Sequence, residues 1–251
     1  MAELEATRGR RIALGFGGIL LLVVVWELLG RAGALGVSWP PFSKVVAQGV
    51  EDHALLSRSL VATVTAAVKG FVVGTSVAFV LALVGVLVPP LRPGIGRLAT
   101  IVNSVPWLAL GPFLVMVVSP DLTPVVIAGM AVFFASFISI SSGFQSVSEA
   151  HSDVFTVFGA SRFARLRLLQ LPSALPALID GAKLGAPAAL LGAIFGEWYG
   201  ASVGLGLVII TSMQLILPER LWAAAGLAAV MAMVAYGVLS ALEVRLERRF
   251  R

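Results

Sequence analysis

The chain has no cysteine, only three lysines, two histidines and two tyrosines in 251 residues, and charged residues make up just 12% of it. Each shortage excludes something. Without cysteine there is no disulfide framework, no thiolate metal site and no cysteine nucleophile. The lysines follow Ser43, Val68 and Ala182, so none belongs to the Gly-Lys-Ser/Thr loop that cradles nucleotide phosphates, and the chain carries no ATPase site. His53 and His151 fall on opposite sides of the topology derived below, which argues against a histidine metal site within one chain and for two surface residues. The shortage of charge, with 59% hydrophobic residues and a mean hydropathy of +0.99, is incompatible with a soluble domain of this size.

What is present is a series of long apolar runs. Spans need roughly 20 mainly apolar residues each, and the sequence predicts an all-α polytopic membrane protein with about six. The first is Ile12 to Leu29, read as a retained anchor: Ala32-Gly33-Ala34 fits a signal-cleavage pattern, but the run is longer than a usual signal core. A polar connector over 31–59 carries the stiff Trp39-Pro40-Pro41 break and a surface helix from Phe42 to Leu56. Further spans are predicted over Leu60–Val88, Leu98–Val118 (kinked or broken by Pro106 and Pro112), Leu122–Ser142, Ala174–Phe195 and Leu221–Leu242, with an exposed connector from Gly196 to Arg220. The organisation expected is 1–59 as tail, first span and outer connector, 60–243 as the core, and 244–251 as a basic tail.

The net charge of +5 reflects topology and lipid contact, with no nucleic acid. Six spans put both termini on one side. Arg8, Arg10, Arg11, Arg92, Arg97, Arg162, Arg165, Arg167, Arg245, Arg248, Arg249 and Arg251 then share that side, against Arg31, Lys44, Arg58 and Arg220 opposite. The positive-inside rule makes the richer side cytoplasmic.

Between spans four and five lies a polar, arginine-bearing island, residues 147–172, VSEAHSDVFTVFGASRFARLRLLQLP. Ser152 is the expected N-cap of a short helix over Val154–Phe158, Asp153 complements its N-terminus, and Gly159 suits a left-handed stop. Ser161 caps a second, basic helix from Arg162 to Gln170 that Pro172 ends. A surface-lying amphipathic helix is the alternative, but Phe155 and Phe158 on so short a helix fit a protein groove better.

The spacing of this island resembles the cytoplasmic loop of bacterial ABC importer membrane subunits, Glu-Ala-Ala, three residues, Gly, nine residues, Ile-x-Leu-Pro. Here Asp153-Val154-Phe155, Gly159 and Leu169-Gln170-Leu171-Pro172 stand at those intervals. Gly159-Ala160-Ser161, Leu171 to Pro176, Asp180-Gly181-Ala182-Lys183, Gly196-Glu197-Trp198, Gly204-Leu205-Gly206 and the proline-bracketed Pro106 to Pro112 look like the branch importing nitrate, taurine and other sulfonates. The resemblance covers about residues 60–210. It departs where Asp153 shortens the usual glutamate and Val154 and Phe155 replace alanines. It implies a permease that couples to a cytoplasmic ATPase dimer through Glu149, Asp153, Val154, Phe155, Phe158, Gly159, Ala160 and Arg162. ATP and magnesium would belong to that ATPase, with no cofactor on this chain. It also implies a second permease copy or homologue, an extracytoplasmic binding protein, and a translocation path or gate near Asn103, Ser104, Trp107, Ser136, Ser141 and Glu197. The expected place is the bacterial inner membrane. The cargo class expected is a small anion such as a sulfonate, taurine or nitrate, or a small heterocycle.

Other ionisable groups near the bilayer have structural readings. Asp180 and Lys183 are three apart on one helix face and predict a pair, Lys69 either snorkels or lines the path, and Glu27 beside Trp26 reads as an interfacial anchor. Glu197 is also open to contact with a delivery protein or to a solvated end. An ion-coupled carrier is the main alternative, but it would show two similar halves with matched broken helices, and only one such stretch is evident. An intramembrane enzyme lacks a His-Ser or paired-aspartate set at membrane depth.

Overall fold

The computed structural model describes the backbone from residue 2 to 250 and side chains over 14–148 and 150–245. The side chains of Arg8, Arg10, Arg11, Arg248 and Arg249, and Arg251 altogether, lie outside the described residues. Regular structure among those described is helical. Five helices are long and apolar enough to cross a bilayer: α1 (Ala2–Ala32, apolar from Leu14), α3 (His53–Leu87), α6 (Thr123–Gln145), the continuous run Arg162–Glu197, and α11 (Pro218–Phe250). Between them lie α2 (Phe42–Glu51), α4 (Arg92–Ser104), α5 (Gly111–Val117), α7 (Glu149–Val157) and α10 (Leu205–Gln214).

The third predicted span is thus broken. Pro106 offers no N–H and disfavours helix at the residue before it, and Val105 accordingly leaves helical geometry at ψ 125. At roughly 20 Å, α4 alone is too short for the bilayer core. The intervening turn is tied down by Tyr199, whose hydroxyl donates to the Leu108 carbonyl at 2.7 Å.

Three further boundaries differ from those predicted. The second membrane helix starts at His53, directly after α2. The connector predicted as exposed between Gly196 and Arg220 contains α10, whose first residue, Leu205, is fully buried. Pro172 does not end the helix begun at Arg162. Instead α8 (Arg162–Arg165) passes through a π-helical turn (Leu166–Gln170) into α9 (Leu171–Glu197). The wider turn accommodates a proline that has no N–H to give and a ring that crowds the preceding carbonyls.

Packing divides the chain into two units. One joins residues 1–57 to 208–226, pieces that the sequence reading kept apart. Trp26, Trp39, Phe42 and Trp222 form its aromatic cluster, with ring centroids 4.8–5.7 Å apart. Trp26 Nε1 donates to Pro40 O at 3.0 Å and Trp222 Nε1 to Ser38 O at 2.9 Å. Glu27 accepts from Ser43 and Arg31, so the predicted anchor pair also fastens the connector. Asp52 receives Arg220 through two bonds, at 2.6 and 2.9 Å.

The other unit comprises residues 58–207 and 227–251. In it α6 packs against α9, where small residues let backbones approach. A Cβ on Gly192 would lie 2.8 Å from Ala128 Cα and 3.0 Å from the Ile127 carbonyl oxygen. Phe133, Phe137, Ile140 and Phe144 of α6 fill the core beside Ala78 and Ala82 of α3, Ala99 of α4 and Ala174 of α9. Lys183 pairs with Asp180 at 2.8 Å, as its spacing predicts, and with Glu243 of α11 at 2.6 Å. That pairing is what a charge in a membrane helix requires.

Candidate functional site

The island folds into a small helix, a sharp bend and a long helix, and each joint has a chemical cause. Ser148, not Ser152, caps α7: its hydroxyl oxygen accepts from the His151 N–H at 3.4 Å and lies 2.6 Å from His151 Nδ1. Ser152 followed by Asp153 is the stronger signal in sequence, whereas Ser148 is followed three residues later by a histidine instead of the glutamate of a capping box. At the other end Gly159 takes φ +64. The Gly159 N–H donates to Thr156 O at 3.0 Å and the Ala160 N–H to Phe155 O at 2.9 Å, the two bonds of a Schellman stop. Ser161 then caps α8, accepting from the Ala164 N–H at 3.2 Å.

One side chain absent from the predicted set holds this arrangement. Arg165 Nη2 donates to Ser152 O at 2.8 Å, to Ser152 Oγ at 3.2 Å and to Thr156 Oγ1. It thereby splints α7 onto the start of the long helix. Its only trace in the sequence is its place among the island's arginines, which topology alone explains.

With its inner side fixed, α7 offers solvent an apolar edge. Val157 is 84% exposed, Phe158 83% and Val154 51%, and Phe163 across the bend is exposed as well. Asp153 is exposed, while Phe155 and Ala160 are half-buried against the bend. Arg162 is exposed and reaches the Leu87 carbonyl at 3.4 Å. The Glu149 side chain lies outside the described residues.

The path candidates are scattered more widely. Asn103 and Ser104 are exposed near the end of α4, and the Ser104 hydroxyl donates to Thr100 O at 2.9 Å. Trp107 packs on Phe195 at 5.7 Å between centroids. Ser136 is buried, 3.4 Å from Thr75 Oγ1 on α3, a bond between packed helices. Ser141 is half-buried on a different face of α6. Glu197 is only 1% exposed. It is no solvated end: its carboxylate accepts the Gly206 N–H at 2.7 Å and packs where a Cβ on Gly204 would otherwise be. It fastens the turn between α9 and α10. Lys69 is exposed on α3.

Over residues 70–251 the sequence matches the model of the binding-protein-dependent transport system inner membrane component family. The chain belongs to this family. Among relatives of this permease, the riboflavin transport system permease protein RibX of Chloroflexus aurantiacus is 27% identical over 240 residues, covering 91% of this chain and 88% of that one. Formylaminopyrimidine transport permease protein ThiX of Halalkalibacterium halodurans is 25% identical over 189 residues, covering 74% and 76%. The taurine transport system permease protein TauC of Escherichia coli is 24% identical over 256 residues, covering 94% and 90%. In fold, the permease is similar to a chain of the MetNI methionine ABC transporter (TM-score 0.65, 16% identity, 77% of this chain and 96% of that one). It is equally similar to a chain of an amino acid ABC transporter (TM-score 0.64, 15% identity, 81% and 97%).

Proposed function

We propose that this permease pairs with a second copy, or a homologue, to form the substrate path of an ATP-driven importer, and that α7 is the helix through which a cytoplasmic ATPase dimer drives it. The observation that carries this reading is the apolar edge of Val154, Val157 and Phe158, presented on a helix too short to hold itself and therefore capped, stopped and splinted by Ser148, Gly159 and Arg165. Exposed apolar residues on a rigid support suit a protein groove. Asp153 and Arg162 flank the edge as polar rim, with Glu149, Phe155 and Ala160 completing the loop.

In the working cycle ATP and magnesium are held by the ATPase. Closure of that dimer moves the two copies of α7, and the path opens to one side and then the other, each state favoured by the ligand that binds it better. Asn103 and Ser104, exposed in a single chain, are assigned to a path completed by the second copy, with Trp107 beside them. Ser136 and Ser141 belong to the packing behind it, and Glu197 to the closure of its outer turn. An extracytoplasmic binding protein delivers the cargo. The transport names of the relatives divide between taurine, which bears a sulfonate group, and two heterocycles, which supports a small sulfonate-bearing compound or heterocycle as cargo. The setting is the bacterial inner membrane with both termini cytoplasmic.

The deciding experiment is affinity purification of the tagged, detergent-solubilised chain from its native cell, with mass spectrometry of what accompanies it. Recovery of a Walker-motif ATPase and a secreted binding protein supports the proposal. Recovery of the chain alone, under conditions that preserve known complexes, or transport driven by sodium without any ATPase, would favour an ion-coupled carrier.

A further inference from the structure

Between α3, α4, α6 and α8 lies a cavity of about 380 Å³ whose charged lining is of one sign. Arg92, at the start of α4, and Arg162 and Arg165, on α8, all line it, together with Gln145, Gln170 and Ser141. No carboxylate is among its lining residues. Asp153 borders only the adjacent cavity, which shares Arg165.

The guanidinium groups are also underused. Among the described residues no ion pair involves any of the three. Among the described residues the Arg92 side chain makes no hydrogen bond, and the Arg162 side chain makes only the long bond to Leu87 O. Arg165 commits Nη2 to α7 while its Nε is buried without a partner. Gln145 donates one of its two amide hydrogens to Ser141 O at 2.7 Å, which leaves the other for a ligand. Three like charges around one hollow repel one another, and an anion between them removes that repulsion. Planar forks with free N–H groups match the tetrahedral oxygens of a phosphate group. Pro89, in the turn that follows α3, also lines the cavity, and a basic pocket at the end of a membrane helix lies where the headgroups of anionic lipids can reach it.

We infer that this cavity is a binding site for a phosphate-bearing anion, held by Arg92, Arg162 and Arg165. Two sources share that chemistry, the headgroup of an anionic lipid and free inorganic phosphate. The site stands on these side chains alone and holds whether or not α7 docks an ATPase. An anion here ties the start of α4 to the helix that carries α7.

The test is native mass spectrometry and thermal unfolding of the full-length, delipidated chain in a zwitterionic detergent. It is titrated with short-chain phosphatidylglycerol, with phosphatidylcholine of the same chain length, and with inorganic phosphate. A lipid site gives saturable binding and stabilisation by phosphatidylglycerol alone. A phosphate site gives the same with inorganic phosphate. In either case Arg92→Gln weakens binding about tenfold, the scale of one charge-assisted contact, whereas Arg97→Gln, exposed and outside the lining, does not. If Arg92→Gln does not yield folded protein, Arg162→Gln is read by the same saturation. Failure of both anionic probes to bind, equal binding of phosphatidylcholine, or unchanged binding in the lining variant overturns the site.

Discussion

Gly159 and Arg165 act on the same few atoms by different means, one through backbone freedom and the other through charge. A β-branched side chain at φ +64 is strained by about 1–2 kcal/mol, enough to shift a nine-residue helix with no other stop. Gly159→Val is expected to leave membrane insertion intact while transport falls at least about tenfold relative to ATP hydrolysis in the reconstituted complex. Normal transport by well-expressed Gly159→Val would remove α7 from the coupling role. Arg165→Met keeps the aliphatic stem but loses the bonds to Ser152 and Thr156. It should make α7 sensitive to limited proteolysis where the wild type resists, and equal resistance would show the splint to be dispensable. At Asp52 the Arg220 guanidinium holds the carboxyl below the ordinary aspartate range. A carboxyl with a lowered folded pKa adds stability that is fully present above its unfolded value, about 3.9, and is lost as pH falls through the folded one. The melting-temperature gap between wild type and Arg220→Gln is therefore expected to hold near neutrality and to close as pH drops below about 4. A gap that does not change with acid would contradict the pairing.

Among the elements, α6 and α9 show how much depends on absent side chains. Gly192→Val places methyl groups against Ala128 and the Ile127 carbonyl and should cost about 1–3 kcal/mol as overpacking, read as a lower melting temperature and loss of monodispersity. Retention of both would mean that the seam is looser than its spacing implies. The same contrast separates what the sequence discloses from what it conceals. The break at Pro106 is legible because proline acts on its immediate neighbours, and so is the Gly159 stop. The continuation through Pro172 is not, because a π turn that accommodates the ring leaves no local signature. Ser148 was hidden by a better-looking Ser152, and α10 by the apolar monotony of its surroundings. The burial of Glu197 depends on Gly204 and Gly206 folding back over it, a tertiary fact without a periodic trace. Phe158 is legible as an apolar residue out of place on a short helix, whereas Phe155, read together with it, is half-buried, and the arginine that aims the edge left no such trace.

At the scale of the molecule, the absence of native thiols makes topology directly testable. A cysteine introduced at Val157, on α7, should react with an impermeant maleimide only from the cytoplasmic side. One at Val37, 87% exposed in the connector after α1, should react only from the outside in intact cells. Labelling of both from one side would overturn the assignment of twelve basic residues inward against four outward. The uninterrupted helix from Arg162 to Glu197 has one more consequence. At about 1.5 Å per residue it is a shaft roughly 54 Å long, gripped by Arg165 at one end and bolted through Glu197 to the α10 turn at the other. A shaft has no slack. Apart from the π turn and the flexure that Pro176 and Pro187 allow, any travel imposed at its Arg165 end must reappear as travel at its Glu197 end.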